Sequence, residues 1–387
     1  MKKKIAILGS TGSIGKSLLK IINDNKNKFE IVLLTANNNY KELLKQTSLY
    51  KVKNVIISNE KSYQKFICLN KNKNLKIYKN FNELNKIFKK KVDYAMSAIT
   101  GIEGLEPTIK ITKLTKKIAI ANKEAIICGW NLIEKVLVKN KTEFIPVDSE
   151  HFSIWYSLRD KKNTNINDLY LTASGGPFYQ WPLKKFKNIK IKDALNHPNW
   201  KMGKKISIDS ATMMNKVFEV IEAKNIFRIP YEKIKIITHP KSYVHALIKF
   251  NSGMIKIVAH QTSMEIPIYN TIFTKEKKKL KTKKIDFEKL NNLNFKKLEI
   301  ARYPVVKILN NLPNRSSLFE TIVVSANDEY VKLFLQKKIS FNDISKKLFK
   351  FINNIEFKKY KKIIPKNVNQ ILKLNKYVRL KINPNSI

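Results

Sequence analysis

A short apolar run, Lys4-Ile5-Ala6-Ile7-Leu8, leads straight into Gly9-Ser10-Thr11-Gly12-Ser13-Ile14-Gly15, and Ser17–Ile22 then carries apolar residues at helical spacing. Strand, glycine-spaced turn and helix, in that order, form the context a dinucleotide-binding fingerprint demands. Glycines there let the backbone approach a pyrophosphate at a helix N-terminus. The spacing departs from G-x-G-x-x-G, and a purely structural turn is the competing reading. Further apolar runs follow at Glu30–Leu34, Val55–Ser58, Tyr94–Ala98 and Ile118–Ala121, separated by helical patterns. That alternation predicts an α/β class with an N-terminal doubly wound, Rossmann-type parallel sheet. The loops after Ala98 and Ala121, at strand carboxyl ends, are where such sheets bind ligands. The second strand ends in Thr35-Ala36-Asn37-Asn38-Asn39. No acid stands there to take a ribose 2′-hydroxyl, which favours NADP over NAD; the basic residue expected for a 2′-phosphate is absent as well, unless Lys41 supplies it.

At 387 residues the chain predicts two or three domains. We divide it into an NADP-binding domain over 1–147, a central α+β catalytic and connective domain over 148–274, a Lys-rich linker over 275–300 and a C-terminal α-helical domain over 301–387. In the last, Val305–Leu309, Phe319–Ala326, Val331–Leu335 and Ile344–Ile352 form apolar stripes. Within the central part, Ile234–Thr238, Ala246–Phe250 and Met254–Ala259 read as strands. No stretch approaches the roughly 18 apolar residues of a membrane span. The basic start resembles a signal peptide, but its apolar part stops at Gly9, short of the roughly 7–15 residues required. Two cysteines, Cys68 and Cys128, fit a reduced compartment and a cytoplasmic location.

The net charge of +46 invites a nucleic-acid-binding reading. The excess is lysine spread along the whole chain and mixed with Asn and Ile, residues that share A/T-rich codons. Arginine, the residue suited to bidentate contacts, is scarce. We therefore expect no specific nucleic-acid partner.

Three central fragments carry the chemistry: Pro146-Val147-Asp148-Ser149-Glu150-His151, Ala173-Ser174-Gly175-Gly176-Pro177-Phe178, and Ser207 through Lys216 to Glu219. Asp148 and Glu150, two apart on an extended segment, would point to one side. Asn215, Lys216 and Glu219 share a helical face. Three carboxylates with hydroxyl and amide neighbours suit a hard cation, Mg²⁺ or Mn²⁺. Solvated surface acids are the alternative. Ser174-Gly175-Gly176 offers a hydroxyl and open backbone N–H groups, as a phosphate nest or as a tight turn, with Ser210, Asn215 and Lys216 able to complete the former. On an irregular segment, His197 is either structural or catalytic, and Trp200 and Met202 either close over a ligand or plug a core.

These residues together make the chain resemble the 1-deoxy-D-xylulose 5-phosphate reductoisomerase family. The resemblance is carried by GSTGSIG, by ANKE at Ala121–Glu124, and by PVDSEH, SGGPF, HPNWKMG, KISIDSATMMNK and HPKSYVH at His239–His245. It implies an NADPH-dependent and divalent-metal-dependent rearrangement and reduction of 1-deoxy-D-xylulose 5-phosphate to 2-C-methyl-D-erythritol 4-phosphate, in non-mevalonate isoprenoid biosynthesis, by a homodimer. By resemblance, Asp148, Glu150 and Glu219 are metal ligands and, with Lys123 and His197, catalytic. Lys123, Ser149, Glu150, Ser174, His197, Trp200, Ser210, Asn215, Lys216 and Glu219 bind the phosphorylated sugar. Gly9, Ser10, Thr11, Gly12, Ser13, Ile14, Asn37, Asn38, Asn39, Asn122, Glu124 and Gly203 contact NADPH. The chain departs from the family pattern at Asn37-Asn38, where Gly and a basic residue are usual. It departs again at Thr262-Ser263-Met264-Glu265, where Pro-Asp-Met-Arg is usual, which bears on packing or dimer contacts. Rival readings are a semialdehyde-dehydrogenase-like NADP oxidoreductase, which would need an activated cysteine, and the basic nucleic-acid binder. Neither accounts for Asp148, Glu150 and Glu219.

Overall fold

Short runs rich in Ile, Val and Ala, buried on both faces, build the first sheet, as parallel strands between helices do. The computed structural model describes residues 1–159, 165–274 and 279–385. The strands are β1 Lys3–Leu8, β2 Phe29–Ala36, β3 Asn54–Ile57, β4 Lys76–Tyr78, β5 Tyr94–Ser97, β6 Lys117–Ile120 and β7 Glu143–Pro146. They lie in the order β4-β3-β2-β1-β5-β6-β7 and pair in parallel throughout. The chain steps outward from β1 through β4, then returns to β5 on the other side of β1. This puts the topological switch point at the carboxyl ends of β1 and β5, and Gly9 follows β1 directly.

The chain forms two compact units. The first holds residues 1–125, 131–148 and 264–280. Compactness thus groups 264–280 with the first sheet, whereas the sequence division ends that domain at 147. The reason is packing. Helix Glu265–Ile272 contributes Ile268, Tyr269 and Ile272 to the core that contains Ile5, Leu18 and Phe29, and Phe273 packs edge-on against Phe29. Tyr94 Oη and Thr271 Oγ1 are 2.7 Å apart inside it. Glu265, within the departure from the family pattern, has a partner here: Lys20 Nζ lies 2.6 Å from its Oε1.

The second unit holds residues 126–130, 149–263 and 281–387. Its strands are β8 Ile166–Ala173, β9 Ile234–Thr238, β10 Val244–Phe250, β11 Ile255–Ala259 and β12 Lys296–Lys297, in the order β11-β10-β8-β9-β12. β8 and β9 are parallel, and the other pairs are antiparallel. Helices Ser149–Leu158 and Met214–Phe227 cover one face, where Ile154, Leu169, Leu171, Val220, Phe227 and Ile248 form the core. The helical C-terminal region belongs to this unit. Phe319–Ala326 and Val331–Leu335, read as two stripes, are one helix over Phe319–Leu335. Val305–Leu309 lies in a 3₁₀ segment, Pro304–Asn311. Within the expected linker, residues 275–278 lie outside the described residues. The remainder is more than a connection, because Lys296–Lys297 adds an edge strand to β9. Among the described residues no helix is long and apolar enough to cross a membrane.

Candidate active site

In the first unit the glycine turn owes two of its three glycines to packing. Gly9 has φ +81°, and a Cβ there would sit 2.6 Å from the Ala98 carbonyl oxygen. A Cβ on Gly15 would meet Gly9 O and Ser10 Cα at 2.6 Å. Gly12 differs: its nearest neighbour would be 3.5 Å away, and it is exposed. Gly12 caps helix Ser13–Asn23 without a side-chain cap. The backbone is bare where a pyrophosphate would approach. Thr11 and Ile14 are half-buried and Ser13 exposed. Ser10 is fully buried, and its hydroxyl donates to Gln46 Oε1 at 2.7 Å. Asn122 is also spent internally. Its Nδ2 donates to the carbonyls of Ile99 and Gly101, and its Oδ1 accepts the Ala125 N–H at 2.8 Å, capping helix Lys123–Asn140. Asn37, Asn38 and Asn39 are exposed beyond β2, and Asn39 caps the helix that Tyr40 begins. Lys123 and Glu124 are buried at the start of helix Lys123–Asn140, and Lys123 Nζ lies 3.2 Å from Asp148 Oδ2.

In the second unit, Ser149 opens a helix, so Glu150 sits in its first turn and not on the extended segment the sequence suggested. Ser149 Oγ donates to Glu150 Oε2 at 2.6 Å. Asn215, Lys216 and Glu219 do share a helix, Met214–Phe227. Met213, at φ +72°, turns the chain from helix Lys204–Thr212 into this one. Lys216 Nζ lies 2.6 Å from Glu150 Oε1 and 2.6 Å from Glu219 Oε2. Asn215 Nδ2 donates to the other Glu219 oxygen. Burial alone would lower the Lys216 pKa; the charges and hydrogen bonds of Glu150 and Glu219 outweigh it and raise it above the usual lysine range. Two carboxylates thus converge on one buried cation. His151, which the sequence reading quoted without a role, is fully buried, and its Nε2 pairs with the Glu219 backbone carbonyl at 2.9 Å. Its signal was adjacency to Glu150.

Ser174 follows β8, and Gly175 and Gly176 have φ of +85° and +65°. A Cβ on Gly176 would press on Ser210 O at 3.0 Å, so this turn lies against the end of helix Lys204–Thr212. Ser174 Oγ accepts the Gly176 N–H at 3.1 Å and stands 3.1 Å from His197 Nε2. His197 Nδ1 accepts the N–H groups of Asn199 and Trp200. Burial, then the charge of Lys216, pushes the His197 pKa down to about 4, so it is neutral at pH 7. Trp200 meets His245 edge-on at 6.4 Å, and Gly203 is exposed at the start of helix Lys204–Thr212. Cys128 is buried and Cys68 exposed.

Three family profiles match. One described as 1-deoxy-D-xylulose 5-phosphate reductoisomerase covers residues 5–129, and its C-terminal domain profile covers 144–227. A further DXP reductoisomerase C-terminal domain profile covers 260–381. The chain is 59% identical over 387 residues to the reductoisomerase of Pelagibacter ubique (strain HTCC1062), covering 100% of both. It is 38% identical over 346 residues to that of Clostridium kluyveri, covering 89% of this chain and 90% of the relative. Among solved structures, the Zymomonas mobilis reductoisomerase in complex with NADPH superposes with a TM-score of 0.88 at 29% identity, covering 100% of each chain. A DOX-P reductoisomerase in complex with NADPH, fosmidomycin and magnesium gives 0.90 at 30% identity, covering 98% of this chain and 97% of the other.

Proposed function

This chain belongs to the 1-deoxy-D-xylulose 5-phosphate reductoisomerase family, and from that premise we propose that it converts 1-deoxy-D-xylulose 5-phosphate to 2-C-methyl-D-erythritol 4-phosphate with NADPH and Mg²⁺ or Mn²⁺. The observation that carries the reading is the convergence of Glu150 and Glu219 on the Lys216 ammonium, which also bears electrostatically on His197, the partner of Ser174. Glu150 and Glu219 bring carboxylate oxygens within 4.8 Å of each other, a spacing that suits a hard divalent ion. Asp148, two residues before Glu150, would be the third ligand. When bound, the metal supplies charge stabilisation to substrate oxygens.

The protein's own residues do the holding. Lys216, Asn215, Ser174 and Ser210 take the substrate phosphate, by charge and by hydrogen bonds. Lys123 and Ser149 orient its polar end. Anchoring a remote phosphate aligns the reacting carbons. His197, Trp200 and Met202 cover the substrate and exclude water. NADPH rests on the Gly9–Ile14 turn, with Gly12 giving closest access to its pyrophosphate. The side chains of Ser10 and Asn122 serve the turn and the helix cap, so their part is to shape the backbone around the cofactor. Asn37, Asn38 and Asn39 would reach the adenosine end, with Glu124 and Gly203 nearer the reacting end. We further propose a cytoplasmic homodimer. The support is the face of the second sheet away from its helices, where Ile255 and Ile257 on edge strand β11 are 56% and 50% exposed.

Lys216→Ala tests the phosphate role. Loss of a charge-assisted hydrogen bond of about 1.5–3 kcal/mol should weaken substrate binding roughly tenfold to a hundredfold and lower turnover as well. The comparison belongs at about 0.15 M ionic strength, where general attraction by the +46 chain is screened. Unchanged constants, together with equal reaction of 1-deoxy-D-xylulose lacking its phosphate, would remove the assignment.

A further inference from the structure

We infer that Tyr303 is a positioning residue for phosphate recognition, fixing the Ser174 hydroxyl as a donor through the Gly175–Gly176 peptide. This rests on the phosphate site proposed above. Tyr303 is 1% exposed, and its hydroxyl donates to the Gly175 carbonyl at 2.7 Å. Burial raises the phenol pKa, so the group stays protonated and stays a donor. The N–H of that same peptide unit, on Gly176, donates to Ser174 Oγ at 3.1 Å. One planar group is thus gripped at both ends. The grip is needed, because Gly175 and Gly176 at φ +85° and +65° occupy the region where glycine rotates most freely.

The other side of Ser174 is set by His197. Backbone N–H groups can only donate, so the two that reach His197 Nδ1, from Asn199 at 3.1 Å and Trp200 at 3.0 Å, require a lone pair there. In the neutral ring the proton is then on Nε2, which donates to Ser174 Oγ at 3.1 Å. Ser174 Oγ receives two hydrogen bonds, from Gly176 and from His197. Its own hydrogen is left to point outward, towards an acceptor. A phosphate oxygen is such an acceptor, whereas a hydroxyl rotor without these two donors would spend part of its time turned the wrong way. Arg302, next in the chain, holds the following turn by donating to the carbonyls of Phe178 at 2.9 Å and Trp181 at 2.5 Å. It does not touch the Gly175–Gly176 peptide, which makes it a control for general loosening.

The test is a double-mutant cycle with inorganic phosphate as the probe, read by calorimetry or as competitive inhibition of turnover. Ser174→Ala should weaken phosphate binding roughly tenfold or more, and Tyr303→Phe roughly threefold to tenfold. Tyr303→Phe added to Ser174→Ala should cost nothing further, because Tyr303 acts through that hydroxyl. Arg302→Gln should instead add to Ser174→Ala. The fold of Tyr303→Phe is checked by circular dichroism. A measurement on the unmutated protein stands beside it: ¹⁵N spectra of the imidazoles should show His197 protonated on Nε2 alone at pH 7. Additive losses for Tyr303→Phe and Ser174→Ala, unchanged affinity in Tyr303→Phe, or a His197 proton on Nδ1 would each overturn the inference while leaving the phosphate site standing. A wild-type protein that binds no phosphate would remove the proposed function, and the Tyr303 role with it.

Discussion

The turn at Gly9–Gly15 and the cluster around Lys216 are both proposed to hold phosphate groups, yet they are built on opposite principles. The turn offers backbone. Its glycines at 9 and 15 are fixed by contacts with Ala98 and Ser10, and only at Gly12 would a Cβ meet its neighbours at ordinary contact distance. The cluster offers side chains: a lysine held 2.6 Å from each of two carboxylates, and a serine set between a peptide N–H and an imidazole. A backbone site tolerates changes in side chains but not in chain path. A side-chain site has the reverse sensitivities. Neutralising one member of the cluster should therefore spare the fold and end the chemistry, whereas a methyl in the turn should disturb the fold first.

The largest effect is expected at Glu219. Glu219→Gln keeps the shape of a buried side chain but halves the anionic charge facing Lys216. Metal stabilisation of this kind is worth several kcal/mol, so kcat should fall roughly a hundredfold or more. An NADPH fluorescence titration should be nearly unchanged. Full turnover in the variant would remove Glu219 from the metal set.

The glycines give the sharpest contrast. Gly9→Ala combines a left-handed backbone, about 1–2 kcal/mol for a residue with a Cβ, with overlap on Ala98 O. Its thermal midpoint should drop and NADPH binding should fail with it. Gly12→Ala should leave the stability within about 0.5–1 kcal/mol of the parent while still weakening NADPH. If the two variants lose stability equally, the division of labour within the turn is wrong.

Much of this was legible in the sequence, and the failures have physical causes. Strands with four or more consecutive apolar residues, such as β1 and β2, are legible directly. β8, the central strand of the second sheet, is hard to read because Asn167 and Asp168 set Ile166 and Leu169 three positions apart and break the two-residue alternation. The last helix, Val368–Ile382, lies in the region that reads as helical, but it shows no apolar stripe of its own because its buried residues, Ile371, Leu374 and Val378, are diluted by Lys and Asn. The helical pairing of Asn215, Lys216 and Glu219 followed from their three- and four-residue spacing. The conformation at Glu150 does not, since Ser149 begins a helix where two acids two residues apart suggest an extended segment. Contacts between residues far apart in sequence, such as Tyr303 with Gly175 or Lys20 with Glu265, leave no periodic trace.

The smallest effect is the pH response of the Ser174 side. His197 has its pKa pushed from an ordinary 6.5 to about 4, by burial and then by Lys216. Between these values the unfolded chain takes up a proton that the folded chain refuses. Stability therefore falls as pH drops from about 6.5 towards 4, and His197 contributes nothing to the slope above about 7. His197→Asn should flatten that part of the unfolding midpoint against pH. No change of slope would mean that the imidazole is not held neutral.

The central claim is that a metal-dependent rearrangement and an NADPH-dependent reduction occur on this chain. Its most direct test follows NADPH absorbance with purified protein and 1-deoxy-D-xylulose 5-phosphate, with Mn²⁺ or Mg²⁺ and again with chelator, and identifies the product by NMR. The account predicts oxidation of one NADPH per molecule of 2-C-methyl-D-erythritol 4-phosphate formed, only when the metal is present and only with the phosphorylated substrate. Oxidation that persists in chelator, or loss of NADPH without the branched product, would contradict it.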